Sequence, residues 1–172
     1  MHMSSAINTG WMLTAAGAVT LMMPGLALSY GGLSGTKNIL NTKIIVLGDF
    51  AVTAVLWVLY GSGLTLGNSV GGGGLLGNPD GLFGIQSLLG QETPEGAVPA
   101  ILIAVFQLIF AGLTVAIIGG AVEGRMKFSA WLVFAGLWAT LVYFPVAHWV
   151  FAFDSADGSV IGGFIANKLH AV

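Results

Sequence analysis

Residues 106–151 read FQLIFAGLTVAIIGGAVEGRMKFSAWLVFAGLWATLVYFPVAHWVF, and this stretch decides how the chain folds. Two long apolar runs flank a short charged elbow, Glu123-Gly124-Arg125-Met126-Lys127. A helix of about 20 apolar residues crosses the roughly 30 Å hydrocarbon layer, and it pairs all of its backbone polar groups internally. Two such runs around a basic turn form a membrane hairpin.

Composition extends that conclusion to the whole chain. Of its 172 residues, 56% are hydrophobic and 7% are charged, with a mean hydropathy of +0.92. Soluble domains carry about a quarter charged residues. Five Lys/Arg and seven Asp/Glu cannot coat a water-facing surface of this size. The 27 glycines suit membrane helices, where small residues let backbones approach closely. A net charge of −2 leaves no electrostatic footprint for nucleic acid, so the expected surroundings are a lipid bilayer. The absence of cysteine excludes disulfides, thiolate metal sites and thiol nucleophiles.

Outward from the hairpin, the same logic predicts an all-α membrane protein, a polytopic bundle of four transmembrane helices in one membrane domain over residues 1–172. The spans are expected at about 11–33, 44–66, 99–122 and 128–151. Pro24 falls inside the first and predicts a kink there, because proline removes one helical hydrogen bond. Residues 67–98 form a long connector whose glycine run reads as flexible loop, with Asn78-Pro79-Asp80-Gly81 as a turn signature. Gly72-x-Gly74-x-x-Gly77 matches a dinucleotide fingerprint only as a string, since no strand precedes it and no amphipathic helix follows. The tail after Phe151 reads as a loop or half-buried helix.

Charge sets the orientation. Lys37, Lys43, Arg125 and Lys127 lie on the connectors at one side, and Asp80, Glu92, Glu95, Asp154 and Asp157 at the other. The positive-inside rule places both basic connectors in the cytoplasm, with the amino terminus and the glycine loop outside. Asp49 interrupts the second span. It reads as a shallow side chain that snorkels or pairs with Lys43.

The ionisable inventory offers no catalytic residues, no metal site and no cofactor site. His2, His148 and His170 share no metal-ligand spacing, and no carboxylates pair within the spans. His148, beside Trp149 at the end of the fourth span, reads as a structural hydrogen-bonder ahead of a proton relay. Phe106 and Phe110 project within about 40° of one another on a helix. Gly112, Ala116 and Gly120 form a separate small-residue stripe suited to close helix packing. On spacing alone the two rings read first as packing or lipid-facing residues. Facing water, they could hold a small cation over their π faces.

Several motifs resemble one family. Tyr30-Gly31-Gly32, Lys37-Asn38-Ile39-Leu40, Leu56-Trp57-Val58-Leu59-Tyr60-Gly61, Phe106-Gln107-x-x-Phe110, Arg125-Met126-Lys127-Phe128-Ser129-Ala130 and Pro145-Val146-Ala147-His148 occur in the order and spacing of the ammonium transporter/Rhesus-protein family. The resemblance covers essentially the whole chain. It implies the first part of the ammonium transporter fold, in which homotrimeric subunits each hold a pore between inverted repeats. It implies ammonium or ammonia as the transported species in the plasma membrane, and a cation-π recruitment site at Phe106, Phe110 and Phe151, with Phe110 also the first ring of a gate. Phe151 stands where many members carry a tryptophan, the stronger cation partner. Gly124 separates Glu123 from Arg125, where the family usually has the two adjacent.

The family's next motif, an Asp-Phe-Ala-Gly-Gly segment ahead of the pore histidines, would follow Val172. The chain is therefore expected to be an amino-terminal portion that does not conduct alone. A non-conducting short form acting as an assembly or modulatory module is the alternative, and a small membrane enzyme is disfavoured by the missing acid, base and metal ligands. The carboxy-terminal tail on which a nitrogen-regulatory signalling protein docks in the family is not among these residues.

Overall fold

The computed structural model describes residues 2–33, 39–80, 83–91, 93, 98–122, 124–154 and 161–169. Lys37, Glu92, Glu95, Glu123, Asp157 and His170, used above to argue orientation and chemistry, lie outside them. Four helices are long and apolar enough to cross a membrane: Ser5–Leu33, Ile39–Leu66, Ala100–Val122 and Phe128–Phe151. They are spans one to four below. Among the described residues the remaining structure is short helical turns and irregular segments, including an isolated β-bridge from Ser69 to Gly77. Runs rich in Val and Ile are helical here because lipid offers no partner to an unpaired strand edge.

Span one comprises α1 (His2–Thr20) and α2 (Met22–Leu33), broken at Leu21. The interruption adjoins Thr20, four positions before Pro24, and a proline without an N–H cannot bond the Thr20 carbonyl; the Leu21 carbonyl still accepts the Gly25 amide at 3.2 Å. Span two comprises α3 (Ile39–Leu56), a π-helical turn over Trp57–Gly61, and α4 (Ser62–Leu66). Span three is one uninterrupted helix, α5 (Ala100–Val122). Span four comprises α6 (Phe128–Trp138), a second π-helical turn over Ala139–Tyr143, and α7 (Phe144–Phe151).

Glycines facing aromatic rings set the packing. Span three presses its small-residue stripe onto spans one and two. A Cβ on Gly112 would lie 2.5 Å from the Phe50 ring, and one on Gly120 would lie 2.6 Å from the Tyr30 ring. Ala116 between them is fully buried. The Tyr30 hydroxyl donates to the Ile117 carbonyl at 3.2 Å, tying span one to span three. Spans two and four meet in the same way. Gly48 receives Phe128 and Leu132, and a Cβ on Gly61 would lie 2.6 Å from the Phe144 ring.

The two π turns face each other. Tyr60 Oη and Thr140 Oγ1 are hydrogen-bonded at 2.8 Å, and Phe144 stands edge-on to Trp57 and Tyr60 at 5.7 and 6.2 Å. A π turn adds a residue to the helix and rotates everything after it. In span four the fully buried positions run Trp131, Ala135, Ala139, then Phe144 and His148, so the spacing stretches from four to five across the turn. That rotation brings His148 into the interior.

The glycine run departs from the expected flexible loop. Gly71, Gly72 and Gly74 adopt φ of 66°, 68° and 72°, a left-handed region that disfavours other residues. Ser69 Oγ accepts the Gly74 amide at 2.7 Å, Val70 N–H donates to Leu76 O at 2.8 Å, and Gly77 N–H donates to Leu64 O at 3.2 Å. Asn78 Oδ1 accepts the Asp80 amide at 3.0 Å, which closes the turn that its sequence signals. The glycines here satisfy a folded turn.

If ring-in-glycine packing carries the bundle, Gly112→Leu drives a side chain into Phe50 and destabilises the protein by about 1–3 kcal/mol. Gly25→Ala, which meets nothing within 4 Å, is neutral or stabilising. Thermal unfolding of both variants in lipid nanodiscs checks the contrast.

Candidate functional site

The three candidate rings occupy two helices. Phe106 and Phe110, one turn apart on α5, are half-buried and pack edge to face, with centroids 5.0 Å apart and planes at 69°. The Thr114 hydroxyl donates to the Phe110 carbonyl at 2.8 Å, a local bond that often bends a helix. Phe151 is the last residue of α7 and is 42% exposed. It enters no ring pair among the described residues. The structure thus pairs Phe106 with Phe110 and carries Phe151 on a different helix.

Around α7 the chain folds back on itself. Trp149 Nε1 donates to the Leu75 carbonyl at 2.7 Å, and the Phe164 amide donates to the Gly74 carbonyl at 2.9 Å. Asn68 Oδ1 accepts the Ile161 amide at 2.9 Å, while Ser69 N–H donates to the Ile161 carbonyl at 2.8 Å. Asn167 Nδ2 caps the end of span four by donating to the Ala152 carbonyl at 3.0 Å. Gly163 sits where any side chain would strike the His148 and Trp149 carbonyls. The glycine turn and residues 161–167 therefore make one hydrogen-bonded cap over the span that carries Phe151.

His148 is wholly buried, with Nδ1 3.1 Å from the Thr65 carbonyl. A carbonyl only accepts, so Nδ1 carries the proton and Nε2 is an acceptor. Nε2 has no partner. The ring is a strut between spans two and four, in line with the structural reading of its sequence position.

Asp49 corrects the sequence reading. It is neither shallow nor paired with Lys43. It is fully buried, its Oδ1 accepts the Trp131 indole N–H at 2.6 Å, and its Oδ2 has no partner. The reason lies in the face it occupies. Asp49 is on the side of span two that meets Gly119 of span three and Trp131 of span four. The missed signal was Trp131, a residue with an indole donor placed in an otherwise apolar run.

Comparison with known proteins fits this geometry. A sequence model of the Ammonium Transporter Family matches residues 10–171. The chain belongs to the ammonium transporter family. An ammonium transporter of Mycobacterium bovis is 46% identical over 180 residues, covering 96% of this chain and 37% of that protein. One from Aquifex aeolicus is 44% identical over 167 residues, covering 93% and 35% respectively. Among solved structures, Saccharomyces cerevisiae Mep2 superposes with a TM-score of 0.75 at 34% identity over 84% of this chain and 32% of that one. This ammonium transporter family chain thus spans about 37% of the length of the curated relatives that it matches. Its all-helical membrane fold is that of its family.

Removing the indole donor tests the buried pair. Trp131→Phe leaves an ionisable acceptor unpartnered in the interior and is expected to cost about 3 kcal/mol. Adding Asp49→Val to it recovers most of that loss, because neither polar group remains. Unfolding midpoints of the single and double variants decide the matter.

Proposed function

We propose that this chain supplies four spans, as a single membrane unit, to an ammonium-transporting subunit. Phe106, Phe110 and Phe151 would form its cation recruitment site and Phe110 the first ring of its gate. The observation that carries the reading is the Phe106–Phe110 pair at 5.0 Å, on a helix that lies within the family match. A ring face carries negative quadrupole charge and attracts a small cation by about 0.5–2 kcal/mol. Both rings are half-buried, so each keeps some exposed surface for such a contact. With no charged side chain on α5, attraction at this point comes from the rings rather than from an ion pair. An uncharged contact also holds the cation weakly enough to release it.

The same reading places the protein in the plasma membrane, with the basic connectors in the cytoplasm, Phe106 and the glycine-turn cap outside, and the subunit in a homotrimer. The basic side chains on the elbow, Arg125 and Lys127, support that orientation. The rings would attract a small cation by its charge, and the family match supports ammonium as that cation.

Two experiments test this. In a chimera that joins these residues to the remaining length of the Mycobacterium relative, Phe106→Ala raises the half-saturation concentration for methylammonium uptake by about two- to thirty-fold. Phe151→Trp in the same chimera lowers it. An unchanged half-saturation in both variants overturns the recruitment site. Cells that express the 172 residues alone take up no methylammonium, and uptake above background would refute the need for the rest of a subunit.

A further inference from the structure

The buried polar groups that the ammonium reading leaves unused concentrate on span two and its contacts. Unpartnered and fully buried atoms include Asp49 Oδ2, Thr53 Oγ1, Trp57 Nε1, Ser62 Oγ and Thr65 Oγ1. Asp49 stands out because it is ionisable and lies wholly inside the bundle. A carboxyl at such depth is costly and persists where it does something. Its two oxygens are unequal. Oδ1 is committed to the Trp131 indole at 2.6 Å, while Oδ2 is aimed at the backbone of span three beside Gly119, where a Cβ would come within 3.0 Å of it. The same missing side chain leaves Ile45 and Trp131 to close the niche, with Cβ distances of 3.3 and 3.5 Å.

We propose that Asp49 is a proton-binding site inside the bundle, with Oδ2 taking up and releasing the proton while Oδ1 stays on Trp131. The niche selects the ligand. A metal ion needs several ligands, and among the described residues no group of three His, Cys, Asp or Glu side chains comes together. A proton needs no added volume. The step is a simple equilibrium: a proton from water joins the Oδ2 lone pair, the carboxylate charge disappears, and no other bond is made or broken.

The charges around the niche are few. On its own helix the nearest is Lys43, whose Cε lies 3.5 Å from the Cβ position of Gly31 on α2, turned toward span one. Tyr30 on α2 is held by the Ile117 carbonyl. Neither α5 nor α6 contains an ionisable side chain, and Arg125 and Lys127 on the elbow are exposed. Among the described residues nothing forms an ion pair with Asp49, so the proton is what balances its charge.

The consequence is mechanical. An indole N–H to a carboxylate is a charge-assisted bond, shorter and about twice as strong as one to a neutral carboxyl. Proton release therefore tightens span four on span two at the seat where Gly48 receives Phe128 and Leu132. Proton uptake loosens it.

The test is fluorine NMR of the full chain in lipid nanodiscs, with its five tryptophans replaced by 5-fluorotryptophan and the Trp131 resonance identified by its loss in Trp131→Phe. The Trp131 resonance is expected to move through a single transition as pH is varied, and to become independent of pH in Asp49→Asn. Gly119→Ala, which adds a methyl group against Oδ2, shifts the midpoint without abolishing the transition. Unmoved Trp57 and Trp149 resonances report that each variant is folded. A Trp131 resonance that ignores pH, or a transition that survives Asp49→Asn, overturns the proposal. If Asp49→Asn alone fails to fold, an unchanged midpoint in Gly119→Ala overturns it instead. No ammonium is present, so either result leaves the transport reading untouched.

Discussion

Close packing of rings against glycines is the interaction on which the rest of this structure depends. In lipid the hydrophobic effect does not draw helices together, so contact must come from shape and from a few polar bonds. Phe50 on Gly112, Tyr30 on Gly120, Phe128 on Gly48 and Phe144 on Gly61 each put a large flat surface where a side chain is missing. These contacts join span three to spans one and two, and span four to span two. The side-chain bonds between spans, from Tyr30 Oη to His148 Nδ1, link helices that such contacts also join.

Three polar contacts then fix register along span two. Asp49 with Trp131, Tyr60 with Thr140 and Thr65 with His148 step along the seam between spans two and four. An interhelical bond in an apolar interior is directional, and each one specifies a single axial offset. The Phe106–Phe110 pair lies on span three, which bears no ionisable group and runs as an uninterrupted helix. The candidate cation contact is thus carried by the plainest element, and the polar bonding is concentrated in its neighbours.

Much of this was legible in the sequence. Hydropathy gave four spans, and the small-residue stripe at Gly112, Ala116 and Gly120 marked the face that packs. The spacing of Phe106 and Phe110 predicted rings on one side of a helix, and they do touch. Asp49 was misread because hydropathy reports how apolar a run is and not which face of the helix meets a donor, and that donor, Trp131, stands 82 positions away in the chain. The glycine run was misread for a related reason. Composition reports freedom of the unfolded chain, whereas the φ values and the Ser69 Oγ bond show glycine used to reach one particular turn. No local signal announced that residues 161–167 would close over it, since that contact joins segments some ninety positions apart.

The paired π turns carry a consequence for comparing family members. Each inserts one residue into a membrane helix without lengthening the face that follows, and the two lie directly opposite. A relative lacking one of them would show a single-residue gap in the middle of a span, where alignments usually forbid gaps. Placing that gap in a loop instead would put Trp149 in the column of His148, and every residue out to Phe151 would be assigned its neighbour's role. Homology in such helices is kept by angular position around the axis, and counting residues along the chain loses it.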